Sequence, residues 1–164
     1  MPDKEYYIIL PLLLYGLAIA DLVSSWRALL KKERRYIPYI ITSLLLLEVS
    51  FWNFYQLNHW MTDAAFGTYL SYFKTLLQPL TFLLVVAVFT PEEQVEDIKV
   101  YYTKNIPIIF GGLAIFVALH FLFEIEQNVI PRLAAIALLI VVAVTRQLWP
   151  IYILLLIRVY SWFM

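Results

Sequence analysis

The chain has 164 residues, of which 63% are hydrophobic and 15% charged, a balance foreign to water-soluble domains. Twelve Lys and Arg offset twelve Asp and Glu, so no net charge draws nucleic acid and no nucleic-acid role is expected. Cysteine is absent, which excludes disulfides, thiolate metal sites, iron–sulfur clusters and cysteine nucleophiles.

The first apolar run extends from about Tyr6 to Trp26. Its Ala18-Ile19-Ala20 triplet imitates a signal-peptidase site. The leader Asp3-Lys4-Glu5 is not positive, however, and the run is longer than a signal core, so it reads as a retained span. Further runs of membrane-crossing length lie at about Pro38–Asn58, Tyr69–Phe89 and Ile106–Phe123, each bounded by charged, Pro or Gly residues. They are apolar on every face, whereas transmembrane strands alternate apolar and polar residues. The expected fold is therefore all-α, a polytopic transmembrane helix bundle forming one domain over 1–164.

The last third offers two readings. A single helix from Val129 onward puts Arg146 near the bilayer centre, where a charge costs about 2.5–3.5 kcal/mol on the insertion scale. Two helices, Val129–Val144 and Leu148 to the end, turn at Thr145-Arg146-Gln147 and place Pro150 in a first helical turn, where its missing N–H matters least. Six helices are expected, with five as the alternative.

Lys and Arg set the orientation. Arg27, Lys31, Lys32, Arg34 and Arg35 lie between helices 1 and 2, and Lys99, Lys104 and Arg146 join them on that side. Lys4, Lys74, Arg132 and Arg158 are left for the other. That puts the basic loop in the cytoplasm and both termini outside, with Trp26, Trp60 and Trp162 near the interfaces. The loop over 90–105 is then cytoplasmic, and its Val95, Ile98, Tyr101 and Tyr102 fall at helical spacings amid charges. It reads either as a connector lying on the headgroups or as a protein-docking surface, with Glu96, Asp97, Tyr101 and Tyr102 as candidate contacts.

Polar residues within apolar spans are where function concentrates. Asp21, with Ser24 and Ser25 on the same helical face, reads as a structural partner of the basic loop or as a cation site. Glu48, Trp52, Tyr55 and His59 form one stripe on helix 2. Glu48 is the deepest carboxylate, at a depth where a lone carboxylate takes up a proton rather than stay charged. It reads as a proton or cation relay, or as a hydrogen-bond partner for Asn53, Gln56 or Gln78. His59 with Asp63 and His120 with Glu124 share i, i+4 spacing, which places two metal-capable ligands on one helical face. The alternative is that each pair simply ends a helix among headgroups. Gly111 and Gly112 allow close helix approach. Nucleophile elbows, phosphate loops and dinucleotide fingerprints are missing, so neither enzymatic chemistry nor a cofactor is expected.

Ala20-Asp21-Leu22 leading into Ser25-Trp26-Arg27, Phe51-Trp52, Phe89-Thr90-Pro91, Asp97 and Tyr101-Tyr102-Thr103-Lys104-Asn105 together resemble a group of small uncharacterised bacterial integral membrane proteins. The resemblance implies a bacterial inner-membrane setting and carries no activity. Two functions are expected to compete. One is a non-enzymatic scaffold that binds a protein partner. The other is a small channel or transporter, as a homo-oligomer, moving protons or cations past Glu48 and Asp21.

Overall fold

The computed structural model describes residues 4–29, 36–60, 68–91, 97–122 and 129–160. They form six helices: α1 (Lys4–Leu29), α2 (Ile37–Trp60), α3 (Tyr69–Phe89), α4 (Ile98–Leu119), α5 (Val129–Thr145) and α6 (Trp149–Tyr160), with a 3₁₀ turn over His120–Leu122 extending α4. Among the described residues there are no strands.

The helix boundaries follow local chemistry. Thr68 caps α3 by accepting from Ser71 N, and Asp97 caps α4 by accepting from Lys99 N and Val100 N. Pro91 follows the last residues of α3 and stops it. Pro38, Pro131 and Pro150 sit in the first turns of α2, α5 and α6, where a backbone N–H has no intrahelical use.

The C-terminal third adopts the two-helix reading. Arg146 is exposed and takes φ 56°, in the left-handed region, so the chain reverses within three residues. The 90–105 loop differs from expectation, because Asp97 nucleates α4 two turns ahead of the apolar run and Pro107 is accommodated inside the helix. Ile98, Tyr101 and Tyr102 of the expected loop therefore belong to the spanning helix itself, and residues 92–96 lie outside the described residues.

Packing runs α2–α1–α3–α4–α5–α6, with α2 also touching α4. The start of α2 stacks on the end of α3 through Tyr39 and Phe89, whose ring centroids are 4.4 Å apart. Tyr7 and Tyr72 meet edge-on at the opposite end. Hence the α1–α2, α3–α4 and α5–α6 connections share one end, called here the basic end after the residues of the first connection. The core holds Tyr15, Leu46, Phe82, Phe89, Tyr102, Phe110 and Phe116.

Tyr7–Trp26, Ile37–Leu57, Tyr69–Phe89 and Ile98–Leu122 are each long and apolar enough to cross a membrane. The outward surface is apolar as well, with Leu84 67% and Ile108 59% exposed, as a lipid-facing bundle requires. At 1.5 Å per residue, the 12 residues of α6 rise about 18 Å, short of the roughly 30 Å hydrocarbon core.

Candidate functional site

Most polar side chains of the spans gather along the inner faces of α2, α3 and α4. At the basic end, Thr42 donates to Pro38 O at 2.9 Å, so the 2.7 Å contact with Tyr102 is donated by the Tyr102 hydroxyl. Trp26 Nε1 donates to Ser43 Oγ at 2.7 Å and ties α1 to α2. These bonds join three helices without involving a charge.

Toward the other end, Asn53 of α2, Gln78 of α3 and His120 after α4 converge. Asn53 and Gln78 are each 3% exposed. Asn53 donates to Val49 O at 2.7 Å, which leaves its Oδ1 facing His120 Nε2 at 3.2 Å. His120 Nδ1 lies 3.1 Å from Phe116 O, and Gln78 Nε2 lies 2.9 Å from Nδ1 and 2.7 Å from Nε2. The oxygens of Asn53 and Phe116 only accept, and the Gln78 amide N–H donates. Either neutral tautomer therefore makes two bonds: Nδ1–H to Phe116 O with Nε2 accepting from Gln78, or Nε2–H to Asn53 Oδ1 with Nδ1 accepting. Phe116 meets the imidazole edge-on at 5.1 Å.

The deepest charges form a second cluster. Arg158 Nε of α6 donates to Glu48 Oε2 of α2 at 2.7 Å, and the guanidinium carbon lies 4.8 Å from the centroid of the Trp52 ring. Glu48 sits halfway along α2, so this pair lies near mid-membrane, 18% and 26% exposed. Opposite charge and an aromatic face offset the desolvation that either ion would suffer alone.

The structure thus regroups the expected candidates. Glu48 meets Arg158 rather than Asn53, Gln56 or Gln78. Asn53 and Gln78 meet His120 instead, a residue expected beside Glu124 as a metal ligand. Both His120 nitrogens face protein groups, so a metal there would have to displace Gln78. Asp63 and Glu124, and the side chain of His59, lie outside the described residues. Among the described residues no group of three or more His, Asp or Glu could hold a metal. Asp21 is exposed, and its carboxylate makes no ion pair among the described residues; Ser24 and Ser25 turn their hydroxyls onto the carbonyls of Asp21 and Leu22.

Of the loop candidates, Glu96 lies outside the described residues and Asp97 is spent on capping α4. Tyr101 and Tyr102 point inward: Tyr101 donates to Val88 O at 2.7 Å, and Tyr102 is fully buried. Tyr102 therefore has no surface to offer a partner, while Tyr101 is half-buried against the end of α3.

Arg158 was the residue missed by sequence reasoning. A mid-span carboxylate and an arginine inside the last apolar run are the two charges that most need each other, and that need is the signal for the pair.

These features define a helical, multi-pass membrane protein with a polar interior tied across helices. Compared with protein-family models, curated proteins and solved structures, the chain shows no match.

Proposed function

We infer that the chain is a non-enzymatic membrane subunit, a scaffold that binds a protein partner, in a bacterial inner membrane with its basic loop in the cytoplasm. The observation that carries this reading is that the deep polar groups close on one another. Glu48 is held by Arg158, and Asn53 and Gln78 are held by His120, which leaves no row of carboxylates among the described residues to line an ion route. The Lys and Arg distribution supports the orientation, and the short motifs around Asp21, Trp52 and Tyr102 support the bacterial setting. The partner surface we assign is the exposed start of α4, with Lys99, Val100, Thr103 and Lys104 outward.

The second reading is a proton or cation channel or transporter. Two buried hydroxyls, those of Tyr15 and Thr90, favour it, because no hydrogen-bond partner faces them among the described residues, a place that water inside the bundle would take.

Flux separates the two. The full chain in sealed proteoliposomes under an imposed potential is expected to pass protons and cations no faster than empty vesicles, with a known channel conducting in parallel. Flux above that background, lost in Glu48→Gln or Asp21→Asn with folding intact, would replace the scaffold with the transport reading. Where flux is absent, a photoreactive residue at Val100 or Thr103 is expected to form one discrete protein adduct in cells, and one at lipid-facing Leu84 none.

A further inference from the structure

The outer surface of a membrane bundle faces hydrocarbon, so apolar residues there need no explanation, whereas a charge at depth does. The Glu48–Arg158 pair is such a charge. Both of its helices start at the basic end, and at 1.5 Å per residue Glu48 lies about 16 Å along α2 and Arg158 about 14 Å along α6, near the middle of a hydrocarbon core of roughly 30 Å. At that depth Glu48 is 18% and Arg158 26% exposed, so the bundle covers the two ions incompletely. Other outward charges on the spans, such as Asp21, Lys74 and Lys104, lie within two to three turns of a helix end, closer to the aqueous interfaces.

The residues around Glu48 form a regular seam. Ile37, Ile41, Leu44, Glu48, Phe51 and Tyr55 follow one another at alternating spacings of four and three, as at a helix–helix contact. They lie on the side of α2 opposite buried Tyr39, Leu46, Ser50 and Asn53, and Ile37, Leu44, Phe51 and Tyr55 are between 49% and 67% exposed. From Ile37 to Tyr55 the seam runs about 27 Å, nearly the depth of the hydrocarbon. The outward face of any span repeats in this way. What sets this one apart is a polar residue at its centre, the feature that fixes register and partner number between packed helices.

The pair also selects its occupant. A site with one positive and one negative member is complementary to itself. Two copies inserted in the same orientation can be related by a two-fold axis only along the membrane normal, and that rotation reverses the in-plane direction from Glu48 to Arg158. Each Arg158 is then presented to the partner's Glu48 and each carboxylate to the partner's guanidinium, and the four charges sum to zero. An anionic lipid headgroup would instead bring like charge against Glu48.

We propose that a second copy of this chain packs on the outward face of α2, in a two-fold dimer whose two Glu48–Arg158 pairs close into one network between the Leu44 and Phe51 layers. Polar side chains bond helices together in lipid, where apolar burial between them gains little. The contact removes the deepest charges of the chain from hydrocarbon, and it is independent of whether the chain acts as a scaffold or a transporter.

The chain has no cysteine, so single introduced cysteines report contacts without background. Treated in the membrane with a lipid-soluble oxidant, full-length Leu44→Cys and Phe51→Cys are expected to form a disulfide-linked species of twice the chain's mass, and Leu84→Cys on the outer face of α3 none. Stepwise photobleaching of the labelled, otherwise unsubstituted chain in liposomes is expected to show two subunits per spot at protein densities too low for chance co-occupancy. The double variant Glu48→Leu with Arg158→Leu leaves no lone charge to unfold the bundle, and its dimer fraction at equal density is expected to fall several-fold. Single-subunit spots at every density would overturn the proposal, as would equal cross-linking at Leu84→Cys. So would cross-links from Leu44→Cys to a different protein alone, or a folded double variant that dimerises undiminished.

Discussion

Glu48 and Arg158 are 110 positions apart in sequence and 2.7 Å apart in space. Each charge is a liability to the fold without the other, and the consequence is a defined asymmetry between single and double substitutions. Removing one member of a fully buried pair costs about 3–5 kcal/mol; with 26% and 18% exposure here, Arg158→Leu or Glu48→Leu is expected to cost less, about 2 kcal/mol. The double substitution to Leu is expected to recover most of that loss, because no lone charge is left behind. Unfolding in lipid or mild detergent by SDS titration measures all three, and a loss in the double variant equal to the sum of the two single losses would show that the ions do not stabilise each other. At this scale the candidates were legible in part. Asp21, Glu48, Asn53 and Gln78 stand out because each interrupts an apolar run. Their partners were not legible, because hydrogen-bond length depends on which helices lie side by side.

Helices α3 and α4 meet where a side chain is missing. A Cβ built on Gly112 would lie 2.5 Å from Val85 Cγ2, whereas one on Gly111 meets nothing within 4 Å. Valine is stiff at χ1 and cannot easily turn the methyl away. Gly112→Ala is therefore expected to destabilise by about 1–3 kcal/mol through overpacking, Val85→Ala in the same chain to restore part of it, and Gly111→Ala to be nearly neutral. Unfolding midpoints of the three variants check the pattern, and equal effects at Gly111 and Gly112 would contradict it. The sequence pointed to both glycines as packing residues but could not separate them, since only the rotation of α4 about its axis decides which faces α3. The start of α4 shows the same limit. Asp97 is a strong cap, yet hydropathy alone favours a start at Ile106, because the two turns after Asp97 carry Lys99 and Lys104 among their apolar residues.

Across the whole molecule, stability is unevenly placed. Helices α3 and α4 lie at the middle of the packing order and supply Phe82, Val86, Phe89, Ile106, Ile109, Phe110 and Phe116 to the core, while α6 packs mainly on α5 and leaves Leu156 69% exposed. Backbone amide exchange in nanodiscs is expected to be slowest at residues 82–89 and 106–116 and faster in α6, where local opening breaks the fewest contacts. Uniform protection across all six helices would show that α6 is held as firmly as the centre.

Composition and the length of the apolar runs, by themselves, determined a membrane-crossing helical bundle and the positions where polarity intrudes, and they favoured the split of the last third at Arg146 that the structure adopts. Those properties follow from the free energy of transferring each segment into lipid, which depends on the segment alone. Only the tertiary structure decided that Glu48 belongs to Arg158, that His120 bridges Asn53 and Gln78, and that Tyr101 and Tyr102 face inward. Those pairings depend on how neighbouring helices are ordered, rotated and set in height, and an apolar helix in lipid carries little record of its neighbours in its own sequence.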